Sequence, residues 1–206
     1  MDVPKDVYPP SEDTYFLADT LLSILPRHPI CLLEIGTGSA FIPSVLRAEH
    51  GCHASSYIVA TDINPSAMRC LRQSLFDMDA LMMDLATAIR SPLFDVIVFN
   101  PPYVPTPRQE LNLAQRRRDV SASWAGGEDG RELTIRAIQE IGVWHCRVLF
   151  SRYIYFRALV DKIVALTRMY VFLAWSRITT GSFTHRWIYP DGCTRAEQTE
   201  RASCDR

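Results

Sequence analysis

Phe99-Asn100-Pro101-Pro102-Tyr103 follows directly on the apolar run Asp95-Val96-Ile97-Val98, and the reading of this stretch decides the fold. A short run rich in Val and Ile, bounded by proline, reads as a buried strand of a parallel sheet, with Asn100 where the strand ends. In open α/β sheets ligands bind outside the carboxyl ends of the strands. The tetrad Asn100 to Tyr103 is therefore predicted to stand at a binding site.

Its side chains suit one kind of chemistry. The Asn100 amide offers a carbonyl acceptor and an NH2 donor and stays neutral at physiological pH. Two successive prolines hold the backbone rigid, and the residue before a proline is pushed to extended geometry. Asn100 and the Pro101 carbonyl can together accept both hydrogens of a planar NH2 group, Pro102 stiffens the loop, and Tyr103 adds a flat face for a planar substrate. An amide or exocyclic amine held this way presents its weak nitrogen lone pair to an electrophile without a strong base, by positioning and electrostatics. The plain alternative is a proline turn closing a strand.

Upstream, Ile30-Cys31-Leu32-Leu33-Glu34-Ile35-Gly36-Thr37-Gly38-Ser39 is an apolar strand running into a glycine turn, then a helix through Ile42, Val45 and Leu46. Such glycines let the backbone pass close to a ligand, and the helix start offers free N–H groups. Position 41 is Phe, so the third glycine of the dinucleotide fingerprint is missing and a nicotinamide cofactor is disfavoured. The second strand, Tyr57 to Thr61, ends at Asp62, a carboxylate placed to accept two ribose hydroxyls or, more plainly, to cap the next helix. Asn64 and Pro65 supply an N-cap and a first helical residue. A third strand, Ala80-Leu81-Met82-Met83, ends at Asp84 and is predicted at the sheet edge, its methionines suiting an adaptable contact surface. Before all of these, Ser11 suits the N-cap of a helix carrying Glu12 and Asp13 in its first turn.

Downstream, 104–120 reads as a polar, irregular, solvated loop with Arg108 and the run Arg116-Arg117-Arg118, which can meet an acidic substrate or an RNA phosphate. Trp124-Ala125-Gly126-Gly127 opens a glycine-dense turn predicted to pack beside the site, followed by a helix through Leu133, Ile135, Ile138 and Ile141.

Taken in order, Tyr8-x-Pro10-x-Glu12-Asp13-Thr14, Glu34-x-Gly36-x-Gly38, Asp62-x-Asn64-Pro65, Asn100-Pro101-Pro102-Tyr103-Val104 and Trp124-Ala125-Gly126-Gly127 resemble the eukaryotic and archaeal branch of the HemK-type release-factor glutamine methyltransferases. The resemblance covers residues 7 to about 141. It implies a doubly wound, Rossmann-like class I methyltransferase sheet and S-adenosylmethionine as methyl donor, held by Glu12, Thr14, Glu34, Gly36, Gly38, Asp62, Asp84 and Asn100. Glu34 and the glycine loop would wrap the amino-acid end of the cofactor, and Asp84 would face its adenine. The implied substrate is the glutamine of the Gly-Gly-Gln loop of a translation termination factor, with Asn100, Pro101 and Tyr103 catalytic and Pro102 part of the substrate site. The implied partner is a small zinc-binding activator subunit, forming a heterodimer along the third-strand edge. Related members methylating histone lysine or DNA adenine leave those substrates as alternatives, beside a catalytically silent variant.

Composition sets the bounds. The chain has 206 residues, 48% of them hydrophobic and 22% charged, room for one sizeable domain of a soluble protein. No apolar run reaches transmembrane length and the acidic start is unlike a secretory leader, so a cytosolic or nuclear protein without a membrane partner is expected. Six scattered cysteines without a C-x-x-C pair predict free thiols rather than disulfides or zinc, and His50-Gly51-Cys52-His53 is read as a surface loop. Residues 1–143 carry 12 Lys+Arg against 18 Asp+Glu, whereas 144–206 carry 10 against 5. The acidic part argues against broad attraction to duplex DNA. The break divides a methyltransferase core, 1–143, from a divergent segment, 144–206, the altered end of the same domain. There 153–156 is read as a fifth strand and 158–169 as a helix. Past Tyr170 the closing hairpin finds no place, which predicts an uncovered sheet edge and points to a retained intron or a change of frame.

Overall fold

A computed structural model describes residues 3–25, 28–49, 56–74, 78–89, 94–141, 147–151, 170–176, 183–188 and 194–197. Eight strands form one sheet in the order β3-β2-β1-β4-β5-β6-β7-β8. Their ranges are β1 Cys31–Ile35, β2 Tyr57–Asp62, β3 Asp79–Met82, β4 Val96–Phe99, β5 Arg147–Ser151, β6 Tyr170–Ser176, β7 Phe183–Ile188 and β8 Thr194–Glu197. The pairings from β3 through β6 are parallel, while β6–β7 and β7–β8 are antiparallel. Strand order reverses between β1 and β4, so the crevice of a doubly wound sheet opens at their carboxyl ends.

The two-residue period of the strands sorts the core into two faces. Leu32, Ile58, Val96 and Val98 pack under α1 (Glu12–Ile24) and α2 (Phe41–Glu49) through Leu17, Leu21, Ile42 and Leu46. Leu33, Ile35, Val59, Ile97 and Phe99 face the other way, onto Ala137, Ile138 and Ile141 of α5 (Glu132–Ile141). Helix α3 (Pro65–Ser74) closes the first face through Leu71 on Ala40 and Ala60. Both β4 and β1 are buried along almost their whole length, which is why β4 reads as an unbroken apolar run. Among the described residues no helix is long and apolar enough to cross a membrane, and Cys31 and Cys70 are free thiols.

Three expectations change. The stretch after the tetrad is not irregular: Arg108–Arg117 forms α4, ending at Arg118 in the left-handed conformation. Leu111 and Ala114, three residues apart, bury against Ala125 and Leu133. Burying one leucine is worth about 2 kcal/mol, enough to order a helix whose other positions, Leu113 apart, are polar. Second, the fifth strand is Arg147–Ser151, earlier than the segment read as one; 153–156 and 158–169 lie outside the described residues, as does the His50 to His53 stretch. Third, the antiparallel hairpin does form, from β6 and β7, and β8 extends it, so the sheet does not stop at β5.

Candidate active site

At the β1/β4 crevice the chain walls a cavity of about 250 Å3. The glycine turn after β1 has φ +68° at Gly36 and +55° at Gly38. A Cβ on Gly36 would meet nothing closer than Phe99 at 3.5 Å, so the left-handed backbone rather than lack of room is what requires glycine there. The Gly38 N–H donates to Asp62 Oδ2 at 2.8 Å, and the Asn64 N–H donates to Asp62 Oδ1 at 2.8 Å. A carboxylate has about four acceptor positions, so Asp62, at the cavity wall, keeps acceptor capacity beyond these bonds. Asn64 caps α3 by accepting the Ser66 N–H at 2.8 Å. Burial pushes the Asp62 carboxyl up, against these backbone N–H donors.

Glu34 lies beside it, 3% exposed. Burial pushes its carboxyl up to about 8 from an ordinary 4.5, with the Asp62 charge adding and the Thr37 side chain opposing. Among the described residues Glu34 Oε2 is buried without a hydrogen-bond partner, and Glu34 and Thr37 both line the cavity. A buried acid with an unused oxygen suits a cation, and a buried hydroxyl suits a polar ligand group. Because the folded value lies above the unfolded one, the Glu34 contribution to stability is full below about pH 4.5 and is lost as pH rises through about 8. Thermal denaturation from pH 5 to 8.5 is expected to show a falling midpoint that Glu34→Gln flattens. An unchanged slope in that variant would remove Glu34 as its source.

The tetrad lines the same cavity. Pro101 and Pro102 are buried, while Asn100 and Tyr103 are half-buried and line the cavity. The Tyr103 hydroxyl donates to Asp13 Oδ2 at 3.3 Å; Asp13 Oδ1 accepts the Ser11 hydroxyl at 2.6 Å and the Thr14 N–H at 2.8 Å. The Tyr8 and Ser11 hydroxyls are 2.7 Å apart, so the start of α1 is linked to the tetrad. Behind the tetrad, the glycine-dense turn packs as its composition predicts. The Val104 N–H donates to the Trp124 carbonyl at 2.9 Å, the Gly126 N–H to the Val104 carbonyl at 2.9 Å, and the Thr106 N–H to the Gly127 carbonyl at 2.8 Å.

Of the residues singled out by sequence, Thr14, Glu34, Gly36, Gly38, Asp62, Asp84, Asn100, Pro101, Pro102 and Tyr103 all line this one cavity. Glu12 does not: it is exposed, and Asp13 beside it is the buried acid at the wall. The signal was present, since Asp13 lies four and eight residues before Leu17 and Leu21, on the buried stripe of α1. Asp84 is also ion-paired with Arg136 of α5. Gln115 and Asp119 line the cavity too and were missed, because their segment reads as a loop.

No family model matches the chain. By sequence the chain is similar to the Methyltransferase HEMK2 of Mus musculus, 37% identical over 142 residues, covering 64% of this chain and 63% of that protein. It therefore spans less than two thirds of that relative's length. It is 34% identical to a putative protein N5-glutamine methyltransferase of Methanocaldococcus jannaschii, over 66% of this chain and 65% of that one. The eRF1 methyltransferase catalytic subunit mtq2 of Schizosaccharomyces pombe is 29% identical, over 66% and 67% of the two chains. Among solved structures, a ribosomal protein L11 methylase from Lactobacillus delbrueckii subsp. bulgaricus shares the fold, with a TM-score of 0.51 and 16% identity over 90% of this chain and 80% of that one.

Proposed function

As a homologue of the HemK-type methyltransferases of eukaryotes and archaea, the chain, we propose, transfers a methyl group to the side-chain amide nitrogen of a glutamine in a release-factor Gly-Gly-Gln loop. One observation carries the reading: an amide-binding tetrad and a glycine loop with its carboxylates wall the same cavity. S-adenosylmethionine, when bound, supplies a methyl group made electrophilic by its sulfonium. The buried unpartnered Glu34 Oε2 suits the ammonium of that cofactor, and the remaining acceptor capacity of Asp62 suits its ribose hydroxyls. Gly36, Thr37 and Gly38 form the backbone cradle between them, with Thr14 and Asp84 along the same wall.

Asn100 and the Pro101 carbonyl accept the two amide hydrogens of the substrate, and Tyr103 packs on its plane. These contacts keep the amide from rotating and leave its nitrogen lone pair toward the electrophile; as the nitrogen–carbon bond forms, the methyl–sulfur bond breaks and one of the two amide hydrogens leaves as a proton to solvent. Asp13, by accepting the Tyr103 hydroxyl, holds that ring in place. A zinc-binding activator subunit would dock on the β3 edge, where Leu81 and Met82 are 40% and 55% exposed. The working compartment is the cytosol or the nucleus.

Calorimetric titration of S-adenosylmethionine into the full chain, co-expressed with such an activator, tests the cofactor half. Transfer of labelled methyl to a Gly-Gly-Gln protein, lost when its glutamine is changed, tests the substrate half. Micromolar binding with transfer is expected. Binding without transfer to glutamine, but with transfer to adenine or lysine, would replace the substrate; no binding by soluble complex would overturn the reading.

A further inference from the structure

Helix α4 stands at the cavity with two different sides. Its inner side carries Gln115, whose Oε1 is buried without a partner at the cavity wall, and Leu111 and Ala114 anchor it on Ala125 and Leu133. Its outer side is cationic. Arg116 and Arg117 are exposed, and Leu113, three and four residues earlier on the same stripe, is 46% exposed. Arg118 follows, also exposed. Among the described residues no ion pair within 4 Å joins these three arginines to an acid, although Asp119, whose carboxyl the Ser121 side chain holds down, lies near enough to Arg117 for the guanidinium to help lower it. The surroundings are of opposite sign, with 12 basic against 18 acidic residues over 1–143.

Helix stability explains only part of this. Basic residues in a last turn complement the macrodipole, which accounts for Arg116 and Arg117. It does not account for Arg118, which occupies the left-handed position (φ 55°, ψ 39°) where helices ordinarily place glycine. A side chain kept at a backbone conformation that disfavours it calls for a use outside the helix.

We propose that Leu113, Arg116, Arg117 and Arg118 form the docking face for an acidic surface of the protein substrate, next to the mouth through which the reactive side chain enters. The proposal rests on the reading of the site as one that modifies a protein. Charge complementarity selects the partner: an outward arginine cluster attracts carboxylates over a distance of about 8 Å in physiological salt, and the acidic body around it repels a long polyanion such as RNA. The exposed leucine between the arginines adds an apolar contact to the charge contacts, and Gln115 meets the incoming chain inside the cavity.

Fluorescence anisotropy of a labelled oligoglutamate peptide against the full chain tests the face without requiring turnover. Binding that weakens with salt is expected, reduced about tenfold or more by R116E/R117E. Arg118→Gly is the sharper variant. It relieves the left-handed strain, so its denaturation midpoint should hold or rise, while oligoglutamate affinity falls severalfold. A purely structural arginine would show the stability gain with no loss of binding, and that result would overturn the proposal. So would tighter binding of an RNA oligonucleotide lost in the same variants, which would reassign the face to nucleic acid. In the transfer assay, R116E/R117E should raise KM for a folded Gly-Gly-Gln domain at least about fivefold more than KM for a short Gly-Gly-Gln peptide. If the wild-type complex methylates neither, the proposed reaction fails, and the anisotropy comparison still decides the docking face.

Discussion

Replacing Asn100 by alanine is expected to lower methyl transfer by about 10^2 to 10^3-fold, the usual cost of removing one preorganised hydrogen-bonding group from a reacting centre. Asn100 stands at the carboxyl end of a fully buried strand, before two buried prolines, so its backbone is fixed by the fold before any ligand binds. That rigidity makes the group valuable in the transition state and makes its loss poorly compensated. The glycine loop and Asp62 are pinned by their own hydrogen bonds, Gly38 and Asn64 N–H to the Asp62 carboxylate. Affinity for S-adenosylmethionine, read by calorimetry, should therefore stay within a few-fold of wild type while kcat falls. A variant that keeps most of its rate would remove Asn100 from the reaction. A parallel loss of cofactor binding would show that its main work is in the cofactor half.

Gly130→Ala should cost about 3 kcal/mol of stability and most of the activity, although Gly130 touches no substrate. Its φ is +66°, and a Cβ there would stand 2.3 Å from the Tyr103 carbonyl oxygen, a backbone atom that cannot step aside. Relief requires moving either the tetrad or the turn whose N–H and carbonyl groups hold Val104 and Thr106 in place. Gly38→Ala is the comparison. It has a similar φ of +55°, but the nearest atom to its Cβ is 3.8 Å away, so it should lose only the conformational term, about 1 kcal/mol. Urea denaturation of both variants, with transfer rates, measures the difference. Equal midpoints would mean that the turn yields easily and that the tetrad is not held from behind.

The tetrad, the glycine loop and Asp62 were legible in the sequence because each depends on local chemistry. Proline restricts its neighbour, glycine alone enters the left-handed region without strain, and an Asn-Pro pair starts a helix wherever it occurs. Runs such as Val96 to Phe99 announce a doubly buried strand, and a parallel sheet with alternating helices then follows. From these, ten of the eleven site residues named from sequence and resemblance fall on one cavity.

The exceptions share a cause. Glu12 and Asp13 are chemically alike neighbours, and which of them faces the site depends on how α1 is rotated by Leu17 and Leu21 packing on the sheet. Helix α4 has only two buried apolar residues among ten, too few for a periodic signal, and it forms because Ala125 and Leu133, distant in sequence, offer a surface to them. With it come Gln115 at the cavity and the arginine face outside. The sheet beyond β5 is settled by pairing: β6 hydrogen-bonds to β5 across a connection of about twenty residues, and β7 and β8 then add as antiparallel neighbours, a pairing that the strand pattern of each segment alone does not display. Thus the sequence by itself determined the chemistry of the site and the class of sheet that carries it, since those follow from each residue's own backbone and side-chain preferences. Only the tertiary structure decided which acid faces the cavity, that α4 is a helix and how the sheet ends, because the first two are settled by burial against other elements and the third by which strand edges pair.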